Sequence, residues 1–496
     1  MGIAKILGIE TEYGVLALGP DPDPIGASSA LVNAYAASVS QRTAWDFEDE
    51  SPGLDARGMP TISGMAPLIE THLANTVLTN GARFYVDHAH PEYSSPECRT
   101  PLEAVRYDVA GEHVLREAMR AARERGPLHS DIVVHKNNSD GKGNSYGCHE
   151  NFLVDREVPF GDVVRAMVPH LVTRILYCGS GKVGAETAGA RSKGATFQIS
   201  QRAEFIEEVV GLETTLKRPI VNTRDEPHGD PRRYRRLHII LGDANMAQVA
   251  TLLKLGTTAL LLGALEDLGT ERFPEPPADP VRTIHELSCD LDLTAKFELA
   301  GGGRSSALDV QTALFELAEH YVERGGAECV GGDDAAGDIL TRWRHALTML
   351  RSDPEALAPS VDWIAKRRLI EGFRSRHGAE AGDPRLSLLD LQYHDLRPER
   401  SLAQRAGLEV LVDPHDAEGA ATMPPMDTRA YFRGMCLRKF PDQIVTANWD
   451  SLVFDIGSDP LRRVPMMDPL RGTAAHTEAL LSRCETAAQL LDELGS

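Results

Sequence analysis

Strand-like segments crowd the first half of this chain and helical periodicity dominates the second. That order constrains the fold more than any single motif does. Residues 4–18, 83–90, 131–138, 144–155 and 236–242 alternate or run apolar as strands do. Residues 101–125, 160–177, 247–268, 306–324 and 339–350 repeat apolar side chains at helical spacing. Strands that are not each followed by a helix do not build a doubly wound parallel sheet. The expectation is an α+β protein: a large domain with a curved, mostly antiparallel sheet backed by helices, then a small C-terminal domain. Loop-like composition at 272–280 (RFPEPPADP) and 411–426 suggests a catalytic domain over 1–426 and a small domain over 427–496. Residues 55–70 (DARGMPTISGMAPLIE) read as an insertion, a mobile surface loop or a lid, ahead of a helix-like stretch at 71–79.

Charge and thiol content narrow the function classes. A net charge of −21 argues against bulk binding of nucleic acid or an anionic membrane. The seven cysteines are odd in number and include no C-x-x-C pair, so reduced thiols in a cytoplasm fit better than a disulfide framework or a structural zinc. The most apolar stretch, 249–265, contains Lys254 and reads as a buried helix, not a membrane span.

Two motifs mislead. Residues 179–184 (GSGKVG) match G-x-G-x-x-G, but a helix-like segment precedes them and loop follows, so the expectation is a flexible loop. The run Arg232, Arg233, Arg235 and Arg236 suits a local anion site in so acidic a chain.

The polar residues of the strands are more informative. In LGIETEYG, alternation puts Glu10 and Glu12 on one face. In YVDHAHPEY, Tyr85 and Asp87 share a face, and a bend at Pro91 would swing Glu92 beside them. In SYGCHENF, His149 and Asn151 share a face with Gly147, where something approaches the backbone; in RRLHIIL, Arg236 and His238 do so. Each pair alone fits a solvated strand face, a satisfied core histidine or the ragged end of a sheet. Together they suit Mg²⁺–nucleotide binding: carboxylates for the hard cation, arginines for phosphate, and a spare carboxylate as base or nucleophile.

These stretches also carry a resemblance. GIETEYG, RTAWDFEDESP, LTNGARFYVDHAHPEYSSPEC, NNSDGKGNSYGCHENF, GLETTLKRPIVNTRDEPH, RYRRLHIILGDAN, DTRAYFRG and WDSLVFD are similar to the family of ligases and depupylases of Pup, the prokaryotic ubiquitin-like protein. That family lies among the carboxylate–amine ligases related to glutamine synthetase and glutamate–cysteine ligase. DHAHPEY has the shorter Asp-to-HPEY spacing of the depupylase branch, and 55–70 sits where that branch carries an insertion.

The resemblance implies a glutamine synthetase-like fold and an amidohydrolase. Such an enzyme deamidates the C-terminal Gln of Pup and cleaves the isopeptide bond between Pup and substrate lysines. It would hold ATP (or ADP plus phosphate) and Mg²⁺ as cofactors. Implied Mg²⁺ ligands are Glu10, Tyr85, Glu92 and His238, with Glu12 and His149 beside them. Arg83, Ser95, Asn151, Arg236, Arg433 and Trp449 would hold the nucleotide, Asp87 would be catalytic, and Arg224 would grip the acidic end of Pup. Pup and pupylated proteins are the implied partners in a cytoplasmic setting linked to the bacterial proteasome, with no nucleic acid or membrane. A Pup–protein ligase working through a γ-glutamyl phosphate, or a non-catalytic Pup-binding protein, are the alternatives.

Overall fold

The computed structural model describes residues 2–18, 23–40, 43–48, 50–51, 53–58, 74–125, 131–186 and 194–495. Of the segment 55–70, only 55–58 lie within them. Among the described residues an eight-stranded sheet runs in the order Ile206–Gly211, Arg218–Asn222, Tyr234–Ile239, Cys148–Asp155, Leu7–Glu12, His90–Ser94, Arg83–Asp87, Asn75–Val77. Only the first pair is parallel; the other neighbours are antiparallel. The chain is therefore α+β with a mostly antiparallel sheet, as the distribution of strands and helices implies.

One face of the sheet is apolar and backed by helices. Leu7, Phe84, Tyr93, Phe152, Leu237 and Ile239 share a core with Val105 and Leu115 of helix Pro101–Arg125, Val168 of helix Phe160–Thr173 and Leu260 of helix Gln248–Leu268. Burying each large apolar side chain contributes about 1.5–3 kcal/mol. Helix Gln248–Leu268 is buried continuously from Val249 to Leu265. The one charge within that buried stretch is satisfied by Lys254 Nζ donating to the Asp243 carbonyl at 2.7 Å. The apolar stretch is thus a core helix, as that lysine predicts.

Several local expectations change. The stretch 4–18 is two strands: Leu7–Glu12 joins the large sheet, whereas Gly14–Leu18 pairs with Asp131–His135 elsewhere. Fully buried Tyr13 marks the crossing, and alternation hides it because both halves alternate. The expected helix 160–177 breaks at Arg174, whose buried guanidinium makes a bidentate bond to Glu150 at 2.6 and 2.8 Å. The helix-like stretch 71–79 holds strand Asn75–Val77 at the sheet edge; 71–73 lie outside the described residues. Residues 179–184 are not a flexible loop. Ser180 and Lys182 are buried, and Lys182–Val183 pairs with Phe197–Gln198.

The C-terminal segment does not close on itself. Its sheet, ordered Arg462–Pro465, Ser451–Phe454, Ile444–Ala447, takes strand Ala44–Trp45 as its fourth member. Its apolar cluster includes Trp45 and Val77 beside Phe432, Leu437, Phe454 and Leu490. This borrowing brings Trp449 against the large sheet, where the cleft lies.

Candidate active site

The register of the strands assembles the polar face. Glu12 lies opposite Glu92, and Glu92 opposite Tyr85; Glu10 lies opposite both Ser94 and His149, and Ser94 opposite Arg83. Asn151 lies opposite Gly8 and His238. Cross-strand partners share a face, so these side chains gather on the side away from the helices. A cleft of about 1690 Å³, solvent at its mouth included, opens over them.

Pro91 is not a bend within one strand, as the spacing suggests. The chain reverses between Asp87 and His90, and Pro91 lies in the returning strand opposite Val86. Its carbonyl accepts a hydrogen bond from the Tyr13 amide at 3.0 Å. The missing N–H faces the same side, beyond Glu12, where the neighbouring strand has ended. Reversal, not a bulge, brings Glu92 level with Tyr85. Gly147 also finds its reason: a Cβ there would lie 2.1 Å from His149 Nε2, so what approaches this backbone is the ring of His149.

Two groups of donors converge, each with its ligand atoms within 4.8 Å of one another: Glu10, His149 and His238, and Glu12, Asp87 and Glu92. His149 links them, with Nδ1 3.4 Å from Glu10 and Nε2 3.9 Å from Glu12. Asn151 Nδ2 donates to Glu10 at 2.8 Å, which turns its Oδ1 toward His238 Nδ1, also at 2.8 Å. That oxygen can only accept, so His238 carries its proton on Nδ1. Its Nε2 lone pair is buried and has no hydrogen-bond partner among the described residues.

The electrostatics fit a cation. Burial pushes the Glu92 carboxyl well above the usual range, and the charges of Asp87, Glu12 and Glu10 push it further. Burial and the Arg236 charge hold His238 well below its ordinary value, hence neutral. Burial would raise Glu10, but its bond to His149 and the charge of Arg236 outweigh that and leave it ionised. Asp87 is likewise held low: the bond from His88 overcomes the effect of burial. Crowded carboxylates beside a neutral histidine with an unused lone pair are a donor set that a divalent cation would relieve.

A second cavity of about 590 Å³ adjoins the cleft and shares Glu10, Ser94, His228, Arg236 and Trp449 with it. Ile6, Leu153 and Pro469 give it apolar walls. Trp449 packs edge-on to Trp45 at 5.1 Å, and the Arg83 guanidinium lies between Trp45 and Tyr85, 4.1 and 3.8 Å from their ring centres. Ser95 is in the wall, with its hydroxyl accepting from the Ile9 amide and donating to the Pro96 carbonyl. Arg224 lines the open cleft, and its buried Nε has no hydrogen-bond partner among the described residues.

Arg433 is the exception. Its wholly buried guanidinium donates to the carbonyls of Gly81 and Trp449 at 2.8 Å and to the Glu97 carboxylate. It lines neither cavity and stands 5.2 Å from the Trp449 ring centre, behind it. Its partners leave it nothing to offer a phosphate. The arginine run also divides: Arg232 and Arg233 pair with Asp230 and Asp468 on the outside, Arg235 faces Asp225, and only Arg236 lines the cavities.

Residues without an expected role also belong here. His90 Nδ1 lies 3.6 Å from Glu12. Glu97 and Arg429 pair in the wall of the second cavity, and Glu97 also holds Arg433 behind it. His228 lines both cavities with a left-handed φ of 45°, a conformation that nothing in NTRDEPH announces.

Comparison with known proteins adds identity to geometry. A family model described as Pup-ligase protein matches residues 5–453. A depupylase of Acidothermus cellulolyticus is 48% identical, with 99% of each chain covered. A Pup deamidase/depupylase of Mycobacterium tuberculosis is 45% identical over the same share of both chains. The solved structure of the Pup ligase PafA in complex with ADP superposes with a TM-score of 0.74 at 29% identity, covering 89% of this chain and 97% of that one.

Proposed function

The chain belongs to the Pup-ligase protein family, and from that premise we propose that it is a Pup deamidase and depupylase. It hydrolyses the side-chain amide of Pup's C-terminal Gln to Glu and cleaves the isopeptide bond joining Pup to a substrate lysine. End-to-end likeness to depupylases at 45–48% identity carries this reading.

The residues divide the work. Glu10, Glu12, Tyr85, Glu92, His149 and His238 would hold Mg²⁺, which when bound offsets the gathered negative charge and fixes the nucleotide phosphates. Arg83, Asn151 and Arg236 would face those phosphates. Trp449 and the wall at Ser95 would hold the base. ATP, or ADP with phosphate, serves as a bound cofactor, because amide hydrolysis needs no fuel. Support for nucleotide use comes from the ADP complex of the related ligase. Asp87 is the reacting carboxylate: it is ionised, lines the cleft and lies beside the cation donors. Arg224, in the open cleft, would draw in the acidic end of Pup. Seven unpaired cysteines fit a reducing cytoplasm.

Nucleotide stoichiometry separates this reading from its ligase relative. We expect isopeptide cleavage to proceed for many turnovers without equivalent ADP release. One ADP released for each isopeptide bond made would contradict the hydrolase.

A further inference from the structure

The tip of the hairpin that carries Asp87 is built in an unexpected way. Asp87 pairs with His90, leaving His88 and Ala89 as the loop. His88, the first of these, has a left-handed φ of 51°. Glycine is the usual residue where a two-residue hairpin loop needs that conformation, and a bulky side chain there is a local cost. Strain retained at a site is a reason to ask what the side chain does. The imidazole is half-exposed and lines the cleft, with Nδ1 2.8 Å from Asp87 Oδ2. An ionised carboxylate only accepts, so Nδ1 donates. Separately, the Ala89 carbonyl accepts a hydrogen bond from Ser28 Oγ at 2.8 Å, which ties the turn to helix Pro24–Ser38 without help from the ring.

The geometry points to His88 as a positioning residue for the proposed hydrolysis: its ring holds one oxygen of Asp87 and presents the other to the scissile amide. This inference rests on the depupylase reading and deepens it. A side chain that only shaped the turn would be replaced by glycine at no loss. A side chain that orients Asp87 would not.

His88→Gly distinguishes the two. The substitution relieves the backbone and removes the ring while Ser28 still anchors the turn. We expect a melting temperature at or above the parent's, an unchanged KM for a pupylated protein, and a kcat lower by about a hundredfold, the effect of a misplaced reacting group. Imidazole added in solution should restore part of the rate. Parent-like kcat, a loss carried by KM, a lowered melting temperature accompanying the loss, or a rate indifferent to imidazole would each overturn the assignment. If the parent chain itself cleaves no pupylated protein, the depupylase reading fails and this inference falls with it. An active parent beside an unaffected variant removes only the role of His88.

Discussion

Asp87→Asn is expected to reduce cleavage of a pupylated protein by on the order of 10⁴-fold, the scale of losing a reacting acid–base or nucleophilic group. Nucleotide affinity and melting temperature should stay close to the parent's. Asp87 ends a strand whose neighbours fix its position, and the bond from His88 keeps its carboxyl ionised against the effect of burial. The amide of Asn fills the same space and keeps an oxygen for His88, but it has neither the charge nor the basicity. Crowding also predicts a side effect: the charge of Asp87 is among the causes that raise Glu92, so its removal should ease ionisation of Glu92. Single-turnover cleavage read by gel and thermal unfolding with and without Mg·ATP check both halves. Parent-like cleavage by Asp87→Asn would remove Asp87 from the chemistry.

Glu97→Ala is expected to cost about 3–5 kcal/mol of stability, the range for removing one partner from a buried charge cluster. Glu97 sits between Arg429 and Arg433, both essentially buried, and ties the end of the sheet to helix Ala430–Lys439. Its loss leaves two guanidinium groups without their carboxylate and loosens Trp449, whose carbonyl Arg433 also holds. The pH dependence follows. Burial pushes the Glu97 carboxyl up, but the Arg433 and Arg429 charges win and bring it from 4.5 to about 2. A carboxylate depressed in the folded state contributes its full stability above its unfolded value and loses it as pH falls through the folded one. The contribution, roughly 3 kcal/mol at 1.36 kcal/mol per pH unit, is therefore present above pH 4.5 and disappears toward pH 2. Denaturant unfolding at neutral pH and at successively lower pH measures both. Equal stability of parent and variant at neutral pH would refute the cluster's role.

The sequence and the structure agree where a period of two suffices. Alternation in LGIETEYG already puts Glu10 and Glu12 on one face, and the same reasoning pairs His149 with Asn151 and Arg236 with His238. It fails where the chain turns without a turn residue. DHAH holds no glycine or asparagine, so the reversal at His88 reads as a continuing strand with a bend at Pro91. It fails again where burial decides between two uses of one side chain. Nothing in TRAYFRG says whether Arg433 meets a phosphate or a carboxylate; the answer is Glu97, 336 residues away in the chain. Trp449 shows a third limit, since its place depends on strand Ala44–Trp45 joining a sheet otherwise built from the C-terminal segment.

We expect this site to hydrolyse the side-chain amide of Pup's last residue and to need a bound nucleotide to do so. Pup ending in Gln, incubated with the full chain with and without Mg·ATP and then weighed by mass spectrometry, tests it directly. The predicted result is conversion of the terminal amide to the acid, seen as the small mass gain of exchanging NH₂ for OH, only when Mg·ATP is present. Pup that keeps its Gln with Mg·ATP supplied, or that loses the amide equally well without nucleotide, would contradict it.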